Sequence, residues 1–221
     1  MLRYNGGVVN NEIPNYFFEK KQWKKDLRFI AGVDEVGRGS FAGPVMAGCV
    51  VFEKKTEFPD GIKINDSKKL RPLERRKASK WIKQNALAWG IGETSVSVIN
   101  RLGMAKATKM AFRRAISDAN RRLSGRIDFL LIDAFFIPYV RGLRRKNQQA
   151  IINGDEKSFS IAAASIIAKV ERDKEMLRFS RKYPKYGWGR NKGYGTRQHQ
   201  EALKKFGITR HHRRTFVSRF I

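Results

Sequence analysis

The stretch from Arg28 to Phe52, R-F-I-A-G-V-D-E-V-G-R-G-S-F-A-G-P-V-M-A-G-C-V-V-F, constrains the rest of the chain more than any other. An apolar run (Phe29, Ile30, Ala31, Val33) meets two adjacent acids, Asp34 and Glu35. It then passes a turn holding Arg38 between Gly37 and Gly39, and resumes as Val45 to Phe52. Two apolar runs joined in this way predict a β-hairpin with chemistry at its tip. The glycines admit backbone conformations closed to other residues and let a ligand approach the main chain, while Arg38 offers a charged fork suited to phosphate. Acids and glycines are also common wherever a strand leaves a core for solvent, so this stretch alone leaves both readings open.

Before it, residues 1–27 read as a polar, basic N-terminal extension. Tyr16, Phe17, Phe18 and Trp23 are spaced to dock as a short helix, and a plain surface segment is the expectation. After it, Pro72 opens a helix ending near Asn85, and Leu87 to Thr94 has the length of a third strand. One long helix is predicted from about Val98 to Leu123, on the spacing of Leu102, Ala105, Met110, Ile116, Ala119 and Leu123. Ile127 to Asp133 is a short apolar strand ending in an acid. The loop 134–150 carries Arg141, Arg144, Arg145 and Lys146, and Ile151 with Ile152 forms a brief strand stopping at Gly154-Asp155. Ser158 starts a helix rich in small residues, and Thr196 caps a final helix ending before Gly207. Early strands, interleaved helices and a helical C-terminal part predict an α/β or α+β domain over residues 28–221 with one mixed sheet.

Charge narrows the function. Lys and Arg number 47 against 20 Asp and Glu, a net charge of +27, and self-repulsion of that size opposes compaction unless a polyanion offsets it. The basic residues are spread along the chain, so the charge belongs to a folded surface and nucleic acid is the leading partner. Cys49 is the only cysteine, which excludes an internal disulfide and fits a reducing compartment. No apolar run approaches membrane-spanning length and the start lacks a secretory pattern, so a cytoplasmic protein without membrane partners is expected.

Against this charge, four acids share one kind of position: Asp34 and Glu35 where the first strand ends, Asp133 at the end of another, and Asp155 after a third apolar run. Carboxylates drawn together repel and raise one another's pKa, so a cluster calls for a cation, and oxygen-only ligands point to Mg2+ or Mn2+. Two such ions can activate water and stabilise a leaving oxygen during phosphodiester cleavage. Neighbours on a regular strand point to opposite faces, so Asp34 and Glu35 require the strand to bend or end at that point. Asp155 also reads as a charge serving a helix N-terminus, and Asp133 as a loop acid. Asp66 sits in a lysine-bordered turn, Asp128 at the far end of its strand, and Asp173 on a helix surface. Near the C-terminus, Lys192-Gly193-Tyr194-Gly195-Thr196 holds an aromatic ring between glycines, where it can stack on a sugar while its hydroxyl reaches a ribose 2′-OH. His199, His211 and His212 lack a cysteine partner for zinc, leaving phosphate contact or packing.

Seven segments together resemble the bacterial ribonuclease HII family, a type 2 ribonuclease H. They are A-G-V-D-E-V-G-R-G at 31–39, A-G-P-V at 42–45, D-S-K-K-L at 66–70, L-I-D at 131–133, G-D at 154–155, S-I-A-A-A-S-I-I-A-K-V-E-R-D at 160–173, and K-G-Y-G-T with the following histidine at 192–199. The resemblance implies a ribonuclease H-like mixed sheet flanked by helices. It also implies Mg2+- or Mn2+-dependent cleavage of RNA in RNA–DNA hybrids, and incision 5′ of a single ribonucleotide in duplex DNA that leaves 3′-hydroxyl and 5′-phosphate ends. By position, Asp34, Glu35, Asp133 and Asp155 correspond to the family's metal-binding carboxylates, and Gly37, Arg38 and Gly39 with Tyr194 to its 2′-OH and junction sensor. Ser67, Lys68, Lys69, Ser160, Ser165 and Lys192 are then candidate substrate contacts. Three positions depart from the pattern: Ser40 stands where proline is usual, Ala134 where glycine is usual, and Asn153 where lysine is common. The thirty residues before the first strand are too few for the substrate-binding domain of a ribonuclease HIII, and a monomer is expected. A noncatalytic nucleic-acid binder is the competing reading, supported by charge alone.

Overall fold

A computed structural model of the chain describes residues 13–220; residues 1–12 of the predicted extension lie outside them. The predicted hairpin forms: β1 (Ile30–Val36) runs antiparallel to β2 (Val45–Val51), with Asp34 opposite Gly48 and Glu35 opposite Ala47. β3 (Ala88–Thr94) adds antiparallel to β2, whereas β4 (Phe129–Asp133) and β5 (Gln148–Ile151) add in parallel on the other side, giving one five-stranded mixed sheet of order β3-β2-β1-β4-β5.

Side chains alternate across β1, so its two faces bury different cores. Ala31 and Val33 join Val45, Ala47, Leu130 and Ile132 in a cluster with α4 (Met104–Asn120), whose buried face is Ala107, Ala111, Phe112, Ala115 and Ala119. Ile30, Val50, Phe129, Leu131 and Ile151 face α5 (Phe159–Lys182) and the shorter α2 (Pro72–Asn85). The alanine-rich start of α5 lies against the strands so closely that a Cβ on Gly32 would fall 2.1 Å from the carbonyl carbon of Ser160, and one on Gly48 2.2 Å from the oxygen of Ala164. Glycine here sets the distance at which the central helix rests on the sheet.

Three expectations change. The long helix breaks into α3 (Val96–Leu102) and α4 because Gly103 adopts φ 80° and ψ 160°, which interrupts the helical hydrogen-bond ladder. The last strand begins at Gln148 and not at Ile151, and Ile152 is 74% exposed. The predicted extension is only partly a surface segment: α1 (Phe17–Trp23) docks on the domain, with Tyr16 and Trp23 in the cluster of Phe52 and Phe159 and with Glu19 and Gln22 also buried.

The C-terminal part builds a third, smaller core. α6 (Trp188–Asn191), α7 (Arg197–Phe206) and α8 (Arg214–Val217) gather Trp188, Leu203 and Val217 around Ala42 and Met176, so this part packs on the hairpin tip and the far half of α5. Thr196 caps α7 as predicted, but α8 follows it. No helix among the described residues is long and apolar enough to cross a membrane.

Candidate active site

Strand pairing brings the acids together. β1 and β4 run in parallel with Val33 level with Ile132, so the next residues, Asp34 and Asp133, lie side by side. β1 does not end or bend at its acids, as the sequence led one to expect; it continues through Val36. Asp34 lies on the α5 face, hydrogen-bonded by Ser165, and Glu35 on the α4 face, and both interact electrostatically with Asp133. Beyond β5, a left-handed Asn153 (φ 54°) turns the chain so that Gly154 donates its N–H to Asp133 Oδ1 at 2.7 Å, which holds Asp155 beside Asp133.

The charges interact as this placement demands. Burial pushes the Asp34 carboxyl well above the ordinary aspartate range, the negative charges of Glu35, Asp133 and Asp155 add to the rise, and a hydrogen bond from Ser165 opposes it. Burial likewise raises Glu35, against the pull of Arg38 Nη1 3.2 Å from Oε1, while Asp133 pushes it further up. Asp155 is raised to about 6, by burial first and then by Asp66 and Asp133. Asp133 is the neighbour common to the other three. The sequence places Asp66 in a lysine-bordered turn. The structure brings it, buried, to Asp155, and Lys68 Nζ lies 3.5 Å from both carboxylates.

Among the described residues no three His, Cys, Asp or Glu side chains are already gathered to hold an ion. Their oxygens have other partners: Asp34 Oδ1 accepts the Glu35 N–H at 2.7 Å, Asp133 Oδ1 the Gly154 N–H, and Asp155 Oδ2 faces Lys68. The donor set nevertheless suits a hard divalent cation. It is all oxygen, its negative charges oppose one another, and Glu35 Oε2 is buried without a hydrogen-bond partner.

Beside the acids stands the turn of the hairpin. Gly37, at φ 87°, opens the turn; Arg38 is exposed and packs its guanidinium 5.4 Å from the Phe135 ring; Gly39 has no atom within 4 Å of where a Cβ would be. Tyr194, exposed, comes next to this turn because Gly193 accepts the N–H groups of Phe41 and Ala42. Two fully buried arginines, which no motif in the sequence singles out, fix the arrangement. Arg172 donates to the carbonyls of Ala42, Pro44 and Lys192 and lies 5.6 Å from the Tyr194 ring. Arg213 donates to those of Arg38, Ser40, Gly43 and Pro44. Neither forms an ion pair among the described residues. Burial lowers both pKa values, Arg213 to about 9 with Arg172 contributing. Arg172 falls seven residues after Ser165, on the buried side of α5, a spacing that could have flagged it.

The other candidates separate. Lys68 and Lys69 are exposed, Lys69 paired with Glu156 at 2.8 Å. Ser67 and Ser165 are buried and share a hydrogen bond of 2.9 Å, so they support Asp34 from beneath. Lys192 turns its Nζ back to the Gly189 carbonyl at 2.5 Å. Ser160 is a correction. It is fully buried and its hydroxyl donates to Glu19 Oε1 at 2.5 Å, so it faces α1 and not a phosphate. His199 and His212 are packing residues, their Nε2 atoms 3.1 Å apart under Trp188.

A mixed sheet of this order, helices on both faces and acids at the parallel strand ends define a ribonuclease H-like nuclease. Two solved structures share the fold: the ribonuclease H2 of Pyrococcus horikoshii (TM-score 0.66, 25% identity, 87% of this chain and 98% of that one) and the RNase HII of Archaeoglobus fulgidus in its PCNA complex (TM-score 0.65, 26% identity, 84% and 93%). The Ribonuclease HII sequence profile matches residues 31–220. The ribonuclease HII of Caldanaerobacter subterraneus subsp. tengcongensis is 45% identical over 93% of this chain and 80% of its own length, and that of Bacillus subtilis 44% over 90% and 74%. The chain belongs to the ribonuclease HII family and is a ribonuclease H, an endonucleolytic hydrolase, which sets aside the noncatalytic binder.

Proposed function

We propose that this ribonuclease H cleaves the RNA strand of RNA–DNA hybrids and incises 5′ of single ribonucleotides embedded in duplex DNA. The products carry 3′-hydroxyl and 5′-phosphate ends. Residues 28–221 form the catalytic unit, acting as a monomer, and Asp34, Glu35, Asp133 and Asp155 bind Mg2+ or Mn2+. What carries the proposal is the meeting of these four acids at one end of the sheet in a chain of net charge +27. A carboxylate cluster facing a polyanion only weakens binding unless a cation is held between them.

When bound, divalent ions supply an activated water and charge stabilisation at the leaving 3′-oxygen. The chain's own part is to hold and orient. Ser165 hydrogen bonds Asp34 and favours its charged form, and Ser67 fixes Ser165 in turn. Lys68 stands exposed over Asp155 as a counter-charge for a phosphate. Arg38, steadied by Glu35 and Phe135, offers a second. The open backbone at Gly39 and the exposed Tyr194 can meet the sugar on either side of its 2′-OH, the group that distinguishes a ribonucleotide from its DNA neighbours.

The test is cleavage of an end-labelled DNA duplex holding one ribonucleotide, beside a hybrid, an all-DNA control and an Asp34→Asn variant. Metal-dependent incision on the 5′ side of the ribonucleotide, lost in the variant and absent from the all-DNA duplex, is the expected result. Cutting of the hybrid alone would overturn the junction-sensing part, and equal activity in Asp34→Asn would overturn the carboxylate site.

A further inference from the structure

The first four N–H groups of a helix have no partner inside it. In α5 all four are satisfied, and two of their acceptors come from the segment that precedes β1. The N–H of Phe159 donates to the Asn15 carbonyl at 3.0 Å and that of Ser160 to Glu19 Oε1 at 3.0 Å; the Ser158 hydroxyl accepts that of Ile161, and the N–H of Ser158 donates to the Gly154 carbonyl at 2.8 Å. Glu19 Oε1 also accepts the hydroxyls of Ser158 at 2.7 Å and Ser160 at 2.5 Å. The bond from the Asn15 N–H to the Lys157 carbonyl completes a short parallel bridge, so residues 15–19 grip the chain from 157 to 160 on both sides. Glu19 is 1% exposed and forms no ion pair among the described residues; burial raises its pKa, the hydrogen bonds from Ser160 and Ser158 oppose the rise, and its carboxyl faces the positive end of α5.

This grip acts on the segment that carries an acid of the site. Asp155 lies three residues before Ser158, in a single 3-10 turn (Gly154–Glu156) closed by the N–H groups of Lys157 and Ser158 on the Gly154 carbonyl. Nothing longer than that turn separates the clamp from the carboxylate. The same helix carries Ser165, the hydrogen-bond donor to Asp34. An error in where α5 begins would therefore move Asp155 and the support of Asp34 together.

We infer that Glu19, which lies before the residues matched by the family profile, is a positioning residue for the carboxylate site, setting α5 and with it Asp155 in place to receive a divalent cation. This rests on the proposed role of Asp155 as a metal ligand. It also accounts for Ser160, whose hydroxyl serves Glu19 and has no path to a phosphate.

The test is Mn2+ binding to the full chain by titration calorimetry, with thermal melting and duplex cleavage alongside, for the parent, Asp155→Asn, Glu19→Gln and Ser160→Ala. Glu19→Gln keeps the shape of the side chain and removes its charge; Ser160→Ala removes one of three donors and serves if the first variant melts too low. The expected result is a loss of Mn2+ affinity of about tenfold in Glu19→Gln, the lower end of what losing a ligand-orienting partner costs. Ser160→Ala should show a smaller loss in the same direction. Cleavage should fall at limiting Mn2+ and recover at excess Mn2+, with KM for the duplex unchanged. Parent-like Mn2+ affinity in both variants, whatever their melting temperatures, would overturn the inference, as would a raised duplex KM in Ser160→Ala at parent-like affinity. Should Asp155→Asn itself bind Mn2+ like the parent, the metal-ligand reading fails first.

Discussion

Arg172 fills the space beside Gly37: a Cβ on Gly37 would lie 2.1 Å from Arg172 Nε. The guanidinium cannot retreat without releasing the carbonyls of Ala42, Pro44 and Lys192, which hold the hairpin tip to the Tyr194 loop. Gly37→Ala therefore meets two obstacles, the side chain and a φ of 87° that costs an L-residue roughly 1–2 kcal/mol. Displacement of this turn by an ångström is expected to cost about 10²-fold in ribonucleotide incision. Denaturant unfolding and initial rates on the same variant check both figures, and a parent-like rate would remove Gly37 and Arg172 from the proposed recognition of the sugar.

Arg213 predicts a larger loss of stability. Its five hydrogen bonds end on four main-chain carbonyls between Arg38 and Pro44. The Pro44 carbonyl also accepts from Arg172, so Arg213→Met strips the carbonyls of Arg38, Ser40 and Gly43 of this donor at about 1–3 kcal/mol each, and a drop of at least about 3 kcal/mol in unfolding free energy is expected. Arg213→Lys should recover only a minor part, because an ammonium lacks the planar fork that reaches carbonyls on several sides. Urea midpoints for the two variants decide it.

Ala134 holds a left-handed φ of 62° directly after Asp133, its N–H bonded to the Ile151 carbonyl. A residue with a Cβ is strained there by roughly 1–2 kcal/mol, so Ala134→Gly is expected to stabilise the chain by about 1 kcal/mol after the unfolded state's added freedom is counted. A raised melting temperature with incision retained is the outcome to look for.

How much of this was legible depends on how local each signal is. The hairpin, α2, the Ser158 start of α5 and the Thr196 cap of α7 are each carried by residues within one turn of the feature, and a reader of the sequence meets them. The acids were visible as residue types at strand ends. That Asp34 and Glu35 need no bend was not, because it follows from β4 lying parallel to β1, which lifts Asp133 level with Asp34. The start of β5 is hidden for a similar reason: Gln148, a polar residue, is buried there by exchanging hydrogen bonds with the main chain of Ile137. Ser160 faces inward only because Glu19, over a hundred residues earlier, meets it. Helical spacing of Tyr16, Glu19 and Trp23 marks a docked face, but it does not tell that the acid's partner is the start of another helix.

The break at Gly103 offers a cleaner test of backbone cost than Gly37. Gly103 also has a positive φ, of 80°, yet no atom lies within 4 Å of where its Cβ would stand. Gly103→Ala should therefore lose only the conformational term, roughly 1–3 kcal/mol of stability for a φ and ψ that only glycine adopts readily, and leave incision unchanged. A larger loss would mean that the α3–α4 corner matters to packing beyond its own turn.

His199 and His212 make stability depend on pH. His212 Nδ1 accepts the Thr209 N–H at 2.8 Å, so its proton sits on Nε2 and points at His199 Nε2, which also accepts from Trp188 Nε1 at 3.0 Å. His199 in turn donates from Nδ1 to the Tyr194 carbonyl at 2.9 Å. A proton added to His199 Nε2 would face two donors. Burial lowers both pKa values, that of His212 from 6.5 to about 4 with the neighbouring His199 contributing. Between those limits the unfolded chain binds a proton that the folded chain refuses. The histidines' contribution is thus fully present above about pH 6.5 and is lost progressively as pH falls toward 4. Urea midpoints should decline from pH 7 to pH 5, and the decline should be shallower in His212→Gln, which takes up no proton. An equal slope in parent and variant would assign the acid sensitivity to the carboxylates instead.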